Sequence, residues 1–306
     1  MSGKHPALVE PAEIARSRVH AQHFHTAGPL ALHGGRRYPR LCRMSSASPI
    51  DEGRRIDWGK TSADYSVFRP GPPESFYRKL LALDVGREGQ RILDLGTGTG
   101  VLARQFAHQG AAVAGIDVSA EQIQAARSLA EAERVEVDFR VAPAEEPPFP
   151  DRSFGVVTAN QCFVYFDRTR AIPEIKRILA ADGLLVISYF SWLPRVDSVA
   201  AASERLVLRY NPQWSAADYA GDHPPLPSWA EGILDVKAFF YYDEPIHFTR
   251  ETWRGRIRAS RGVGAALSAS EVERFDAEHD ALLKGVTGER FTVLHRIVCH
   301  MLRFKG

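Results

Sequence analysis

Residues 92–100 read Ile-Leu-Asp-Leu-Gly-Thr-Gly-Thr-Gly, and no other stretch restricts the possible fold as much. A short apolar strand, Ile92 to Leu95, runs straight into a turn with glycine at every second position. An amphipathic helix is predicted directly after it, from about Val101 to His108. Glycine has no Cβ, so such a turn can adopt positive φ and bring backbone close to a ligand. A helix that starts there directs unpaired N–H groups at an anionic group.

The pattern continues as alternation. Ala111 to Ile116 reads as a second strand ending at Asp117, and Ser119 is placed to cap a helix running to about Ala130. Val135 to Val141 and Phe154 to Ala159 read as strands three and four. Arg170 to Ala180 reads as a helix stopped near Gly183, and Leu184 to Phe190 as a nearly all-apolar fifth strand. Apolar strands alternating with helices imply a parallel sheet covered on both faces, an α/β architecture. With 306 residues, the chain holds one large domain or one domain with a sizeable insertion. The mix of 44% hydrophobic and 25% charged residues excludes whole-chain disorder and fibrous folds. No run of about eighteen apolar residues exists to span a bilayer. Cys42, Cys162 and Cys299 are too few and too scattered for a disulfide framework or a zinc site, so no metal is expected and a reducing compartment, the cytoplasm, is.

The net charge of +2 hides a division. Residues 1–43 carry seven Lys or Arg against two acids, a net of +5, while the rest carries 32 basic against 35 acidic residues, −3. This stretch shows no sustained period and contains Gly28-Pro29 and Gly34-Gly35. It lacks the apolar core of a secretory signal, though its Arg-rich, acid-poor composition loosely resembles a transit peptide. Met44 offers a second start. Residues 1–43 are therefore expected to be a flexible or non-native tail, and 44–306 the folded domain. The positive total is then no argument for nucleic acid.

A glycine turn alone is weak evidence for a ligand site. Three features strengthen it. The glycines alternate behind Asp94, unlike the G-x-G-x-x-G dinucleotide fingerprint. Asp117 ends the second strand, where an acid can accept both hydroxyl hydrogens of a ribose; the competing reading is a helix cap. The loop from Ala142 to Asp151 lies at the same edge of the sheet and is placed to cover a base.

Together, ILDLGTGTG (Ile92 to Gly100), GIDVS (Gly115 to Ser119), APAEEPPFPDRSFGVV (Ala142 to Val157) and EIKRILAADGLLVIS (Glu174 to Ser188) resemble the ordered motifs of class I S-adenosylmethionine-dependent methyltransferases. The resemblance is strong from about Trp58 to Ser191 and weak beyond. It implies a doubly wound, mostly parallel seven-stranded Rossmann-like sheet with the last strand antiparallel, supplied by Phe291 to Phe304 with Val236 to Tyr242 before it. It also implies S-adenosylmethionine as cofactor. By position, Asp94, Gly96, Thr97, Gly98 and Gly100 should surround its methionine part, and Asp117 should bind the ribose. Val118, Ala144 and Glu145 should contact adenine, and Asn160 and Gln161 should border the sulfonium and the substrate cavity. Three positions depart from the family pattern: Pro143 and Gly155 stand where Asp is common, and Ala181-Asp182-Gly183 replaces a P-G-G turn.

The flanks should select the substrate. Tyr65 to Pro70 resembles the Y-x-x-x-R-P segment of the small-molecule branch, with Tyr65 and Arg69 as candidates to contact the methionine carboxylate or the substrate. The alternative is that Tyr65 and Phe68 staple a helix. A lid-like insertion is expected over about 191–234, with Trp214, Tyr219 and Trp229 as candidate lining residues or as a small core of their own. Arg254, Arg256, Arg258 and Arg261 either clamp an anionic substrate or form a solvated helix face. His295 is expected to be packed rather than catalytic.

Methyl transfer from a sulfonium needs alignment more than proton chemistry, and no catalytic base stands out. The leading expectation is a methyltransferase acting on a small, anionic or neutral molecule, without a nucleic-acid or membrane partner. The alternatives are a methyltransferase acting on tRNA or protein, and a non-catalytic cofactor-binding protein or nicotinamide oxidoreductase. Acceptor atom and oligomeric state are open at this point.

Overall fold

In the computed structural model, Phe68 and residues 71–306 are described. The expectations for residues 1–43 and for Tyr65 and Arg69 lie outside the described residues.

Seven strands form one sheet in the order β3-β2-β1-β4-β5-β7-β6. The chain enters through α1 (Glu74–Ala82) and lays down β1 (Arg91–Leu95), α2 (Val101–His108), β2 (Ala112–Asp117), α3 (Ala120–Glu133) and β3 (Val137–Val141). It then crosses to the other side of β1 with β4 (Phe154–Asn160), α4 (Arg168–Ile178) and β5 (Leu179–Trp192). After α5 (Ser198–Tyr210), β6 (Leu234–Thr249), α6 (Arg250–Arg258) and α7 (Ala269–Val286), it ends with β7 (Arg290–Phe304). β1 to β5 pair in parallel, and β7 runs antiparallel to both β5 and β6. The last strand therefore has the orientation implied by the sequence.

Local chemistry accounts for the element boundaries. Ser119 caps α3 as expected, its hydroxyl accepting from Gln122 N at 3.2 Å. Asp167 caps α4 by accepting from Thr169 N at 3.0 Å. One boundary differs from the sequence reading. The turn placed at Ala181-Asp182-Gly183 is a bulge inside β5 rather than a stop before it. Leu179 pairs with Phe154 and Leu184 with Val156, so six residues of one strand oppose three of the other. A Cβ on Gly183 would meet Leu179 at 2.8 Å, and glycine allows the bulge to fold this tightly.

Two cores cover the sheet. Phe76, Leu80, Phe106 and Ile123 bury α1, α2 and α3 against one face, with Phe139 of β3. Ala171, Ile175 and Ile178 bury α4 against the other. A third core lies beyond the sheet, where Val199 and Leu206 of α5 meet Trp253 and Ile257 of α6 and Phe275 and Leu283 of α7. At its centre, fully buried Trp253 donates Nε1 to Ser203 Oγ at 2.9 Å, and the same hydroxyl bonds His279 Nε2 at 2.9 Å. The segment read from sequence as an insertion over 191–234 thus supplies one part of a helical cap, and α6 and α7 supply the rest.

Candidate functional site

The strand order reverses between β1 and β4, which is where open α/β sheets bind ligands. At the carboxyl end of β1 the chain turns through Gly96, Gly98 and Gly100 with φ of 57°, 55° and 78°. Only glycine takes all three without strain. A Cβ on Gly96 would lie 2.9 Å from Cys162, and one on Gly100 would lie 2.6 Å from the Phe139 ring. Cys162 Sγ donates to Leu95 O at 3.1 Å and ties the end of β4 to the end of β1.

Asp94 and Asp117 flank this turn differently. Asp94 is buried and accepts from Thr158 Oγ1 at 2.6 Å and Thr97 Oγ1 at 2.7 Å. Burial pushes its pKa up to about 6; the two hydroxyl donors oppose that rise and the charge of Asp117 adds to it. Asp117 accepts from Gly98 N at 2.9 Å through one oxygen and from Ser119 N at 3.0 Å through the other. Burial raises its pKa, and these backbone donors hold it down. With the Val118 N–H as a third backbone donor, the carboxylate keeps acceptor capacity for a further hydroxyl. The carboxylate thus sits on the backbone at the tip of β2, and Ser119, two residues on, is the helix cap.

A cleft of about 200 Å³ opens over the turn. Gly96, Gly98, Asp117, Val118, Ala144, Glu145, Asn160 and Gln161 line it together, eight of the residues singled out from sequence. Val118 is 67% exposed, which leaves its side chain free to lie against a flat ring. Glu145 Oε1 accepts from Asp167 N at 2.7 Å. A smaller hollow continues the cleft past Gly96, and Asp94 and Thr97 line that end with Gly71, Pro72 and Phe190. Gly100 lines neither; its Cα sits against Phe139 and Ala126, so its lack of a side chain serves packing. Sequence reasoning missed Gln122, Ala142, Cys162, Tyr165 and Phe166, which also line the cleft. The last three follow β4 directly, and that position was the signal available for them.

Gln161 divides the site. Its φ is 65°, a left-handed conformation that costs free energy for a residue with a Cβ. Its backbone N–H donates to Ser188 O at 2.9 Å and its side-chain amide donates to Phe190 O, so β5 holds it in place. With Tyr165 it borders both the cleft and a second cavity of about 380 Å³ under the helical cap. Trp214 and Tyr219 line that cavity, with Tyr189, Trp192 and His223, which sequence reasoning did not single out. Trp229 lies elsewhere, its ring 4.9 Å from Phe163 in the core.

The four arginines of 254–261 divide as well. Arg254 pairs with Asp276 and with Asp280 at 2.9 Å, and Arg258 pairs with Asp276 at 2.5 Å. These two join α6 to α7 and are not available as a clamp. Arg256 lies over the Trp192 ring at 4.8 Å and Arg261 donates to Ser215 Oγ at 3.0 Å; both line the second cavity. His295 is fully buried and stacked on Phe190, and burial depresses its pKa to about 3, consistent with a packed residue. Among the described residues no group of His, Cys, Asp or Glu could hold a metal ion, and no helix is long and apolar enough to cross a membrane.

A doubly wound sheet with a glycine turn at the switch point and an acid at the tip of the second strand defines an α/β protein built to hold a nucleoside cofactor. The methyltransferase domain family matches residues 93–187. The demethylmenaquinone methyltransferase of Thermus thermophilus is 40% identical over 121 residues, which cover 39% of this chain and 55% of that protein. The ubiquinone/menaquinone biosynthesis C-methyltransferase of Geotalea uraniireducens is 33% identical over 177 residues, 49% of this chain and 75% of that one. The chain thus spans about half of the first relative and three quarters of the second. The structure of a candidate type II methyltransferase from Anaeromyxobacter dehalogenans superposes with a TM-score of 0.51 at 19% identity, over 77% of this chain and 97% of that one, and shares the fold. The chain belongs to the class I S-adenosylmethionine-dependent methyltransferase family.

Proposed function

We propose that the protein transfers a methyl group from S-adenosylmethionine to a small-molecule acceptor. The observation that carries the reading is the Asp117 carboxylate, fixed by Gly98 and Ser119 N–H groups at the mouth of a cleft lined by Gly96 and Gly98. The donor set fits the cofactor. Asp117 would accept the ribose hydroxyls, Val118 would pack on adenine, and Ala144 and Glu145 would meet its edge. Asp94, Gly96, Thr97 and Gly98 would surround the methionine part, with Gly100 shaping the turn from behind. Asn160 and Gln161 would border the sulfonium. Tyr65 and Arg69 keep their proposed role at the methionine carboxylate or the acceptor.

The bound cofactor would supply an activated methyl on a sulfonium, open to in-line displacement. The protein's part is to hold the acceptor in line and to keep water out. The cavity of about 380 Å³ beside Gln161 is sized for a small molecule, which favours that acceptor class over tRNA or protein. Arg256 and Arg261 in its wall support an acceptor with anionic character. The small number and wide scatter of Cys42, Cys162 and Cys299 along the sequence support a cytoplasmic location.

Calorimetry with S-adenosylmethionine on the wild type and on Asp117→Asn tests the reading. We expect binding by the wild type and at least about tenfold weaker binding by the variant, since a carboxylate that accepts hydroxyls contributes about 1.5–3 kcal/mol. Equal affinities would remove the ribose role, and no binding by the wild type would overturn the function.

A further inference from the structure

One side of the second cavity is built from the end of α6 and the turn after it. Arg256 lies in the last turn of that helix, and Ser260 N donates to Ile257 O at 3.0 Å, which carries the turn on past Arg258. Arg256 and Ser260 therefore share a face, and both line the cavity together with Arg261. Arg256 is only 4% exposed, and its guanidinium lies over the Trp192 ring at 4.8 Å. That ring is held in turn by Nε1, which donates to the buried Glu204 carboxylate at 2.6 Å. Trp214 rests on the same turn, since a Cβ on Gly262 would meet its ring at 2.8 Å.

The polar groups on this side are donors. Ser260 Oγ and Trp214 Nε1 are buried and have no hydrogen-bond partner, which is rare in a packed interior that binds nothing polar. An indole N–H can only donate. A guanidinium stacked flat on a ring presents an edge of several N–H groups, so it can hold a ligand oxygen beside its other partners. Arg261 adds a second cation and donates to Ser215 Oγ at 3.0 Å. No Asp or Glu is among the described residues that line the cavity. The ligand group that suits this side carries negative charge, accepts from several directions and donates nothing. An ionised carboxylate does so, and its two oxygens match the fork of a guanidinium through parallel bonds. An amide of the same shape would turn N–H groups towards donors.

We infer that the acceptor is a small monocarboxylate whose carboxylate is anchored by Arg256 and Ser260, with Arg261 adding charge. The inference rests on the methyltransferase reading and deepens it from anionic character to one functional group and one subsite. Gln161 and Tyr165 border both cavities, whereas Arg256 and Ser260 line the second cavity and not the cleft. The anchor thus stands apart from the border with the cofactor cleft, and the body of the acceptor extends from it towards Gln161.

The test uses two probes of equal length and shape, octanoate and octanamide, in equilibrium dialysis against the full chain saturated with S-adenosylhomocysteine. The wild type should bind octanoate at least about tenfold more tightly than octanamide, because only the acid forms charge-assisted bonds. Arg256→Gln should abolish the preference, and Arg256→Lys, which keeps the charge and loses the fork, should restore part of it. Ser260→Ala removes a hydroxyl that bonds nothing in the protein and should weaken octanoate at least about threefold. Thermal unfolding and calorimetry of S-adenosylhomocysteine on each sample report folding and the cofactor site; if Arg256→Gln does not fold, Ser260→Ala decides alone. Equal binding of the two probes by the wild type, binding of neither, a preference that survives Arg256→Gln, or an octanoate affinity unchanged by Ser260→Ala would overturn the inference while cofactor binding stays intact. Absence of cofactor binding by the wild type would instead overturn the parent reading.

Discussion

Asp94 makes cofactor affinity depend on pH in a way that can be worked out beforehand. Without ligand, burial holds its pKa near 6, well above the ordinary 3.8. The amino group of the methionine part is cationic below about pH 7.7 and favours the ionised carboxylate. Taking the bound value back to 3.8, linkage makes affinity at pH 5 about tenfold weaker than at pH 7, with about half a proton released on binding at pH 6. Calorimetry at pH 5, 6 and 7 in two buffers of different ionisation enthalpy reads both quantities. Asp94→Asn should bind weakly and without this pH dependence. Thr158→Val removes the 2.6 Å donor that holds the pKa down and should move the step to higher pH. Asp117→Asn should weaken binding and move the step to lower pH, because the Asp117 charge adds to the rise at Asp94, and this opposite direction separates the two acids. A flat affinity from pH 5 to 7 in the wild type would refute the placement of Asp94 beside the amino group.

Three further outcomes concern the scaffold. Gly100→Ala forces a side chain onto φ 78° and a Cβ to 2.6 Å from Phe139, and thermal unfolding should show a loss of about 2–4 kcal/mol; a loss below about 1 kcal/mol would contradict the close approach. Asp276→Ala leaves Arg254 and Arg258 without the shared acid that joins α6 to α7, and urea unfolding should show a loss of about 1–3 kcal/mol, with a double-mutant cycle against Arg254→Ala separating the pair's own share. His279 and His295 are buried with pKa values lowered to about 4 and 3, so the unfolded chain takes up protons that the folded one does not, and each histidine costs about 2 kcal/mol on going from pH 7 to 5. His223, lowered to about 4, costs about 2 kcal/mol more, while Asp94 works the other way and returns about 1 kcal/mol, so these four groups together should take about 4–5 kcal/mol from cofactor-free protein in denaturant titrations at the two pH values.

The cleft over the glycine turn was legible because it is local. Strand, glycine turn and helix are contiguous from Ile92 to His108, and Asp117 and Asn160 stand at strand ends whose positions the apolar runs fix. Residues at the carboxyl ends of adjacent parallel strands must converge, so periodicity and topology together bring Asp94, Asp117 and Asn160 to one edge. Gly100 shows the limit of the same argument. A glycine in the motif reads as ligand contact, yet the ring it accommodates is that of Phe139, 39 positions along the chain.

The second cavity was not legible, and the reason is the range of its contacts. Its walls come from β5, from the loop between α5 and β6, and from α6 with the residues after it, segments that no local period connects. Tyr189 sat inside a strand that read as uniformly apolar, and His223 lay among prolines in a segment with no period at all. The arginines were visible as a cluster, but their roles depended on α7: Asp276 and Asp280, about twenty residues on, pair with Arg254 and Arg258, while Arg256 and Arg261 line the cavity. Helical spacing accounts for that division. Positions 254 and 258 share the face of α6 that meets α7, while 256 lies nearly opposite. A charge run on a helix therefore has at least two surroundings to face, and only the packing of the neighbouring helix decides which of its members turn to that helix and which to a cavity.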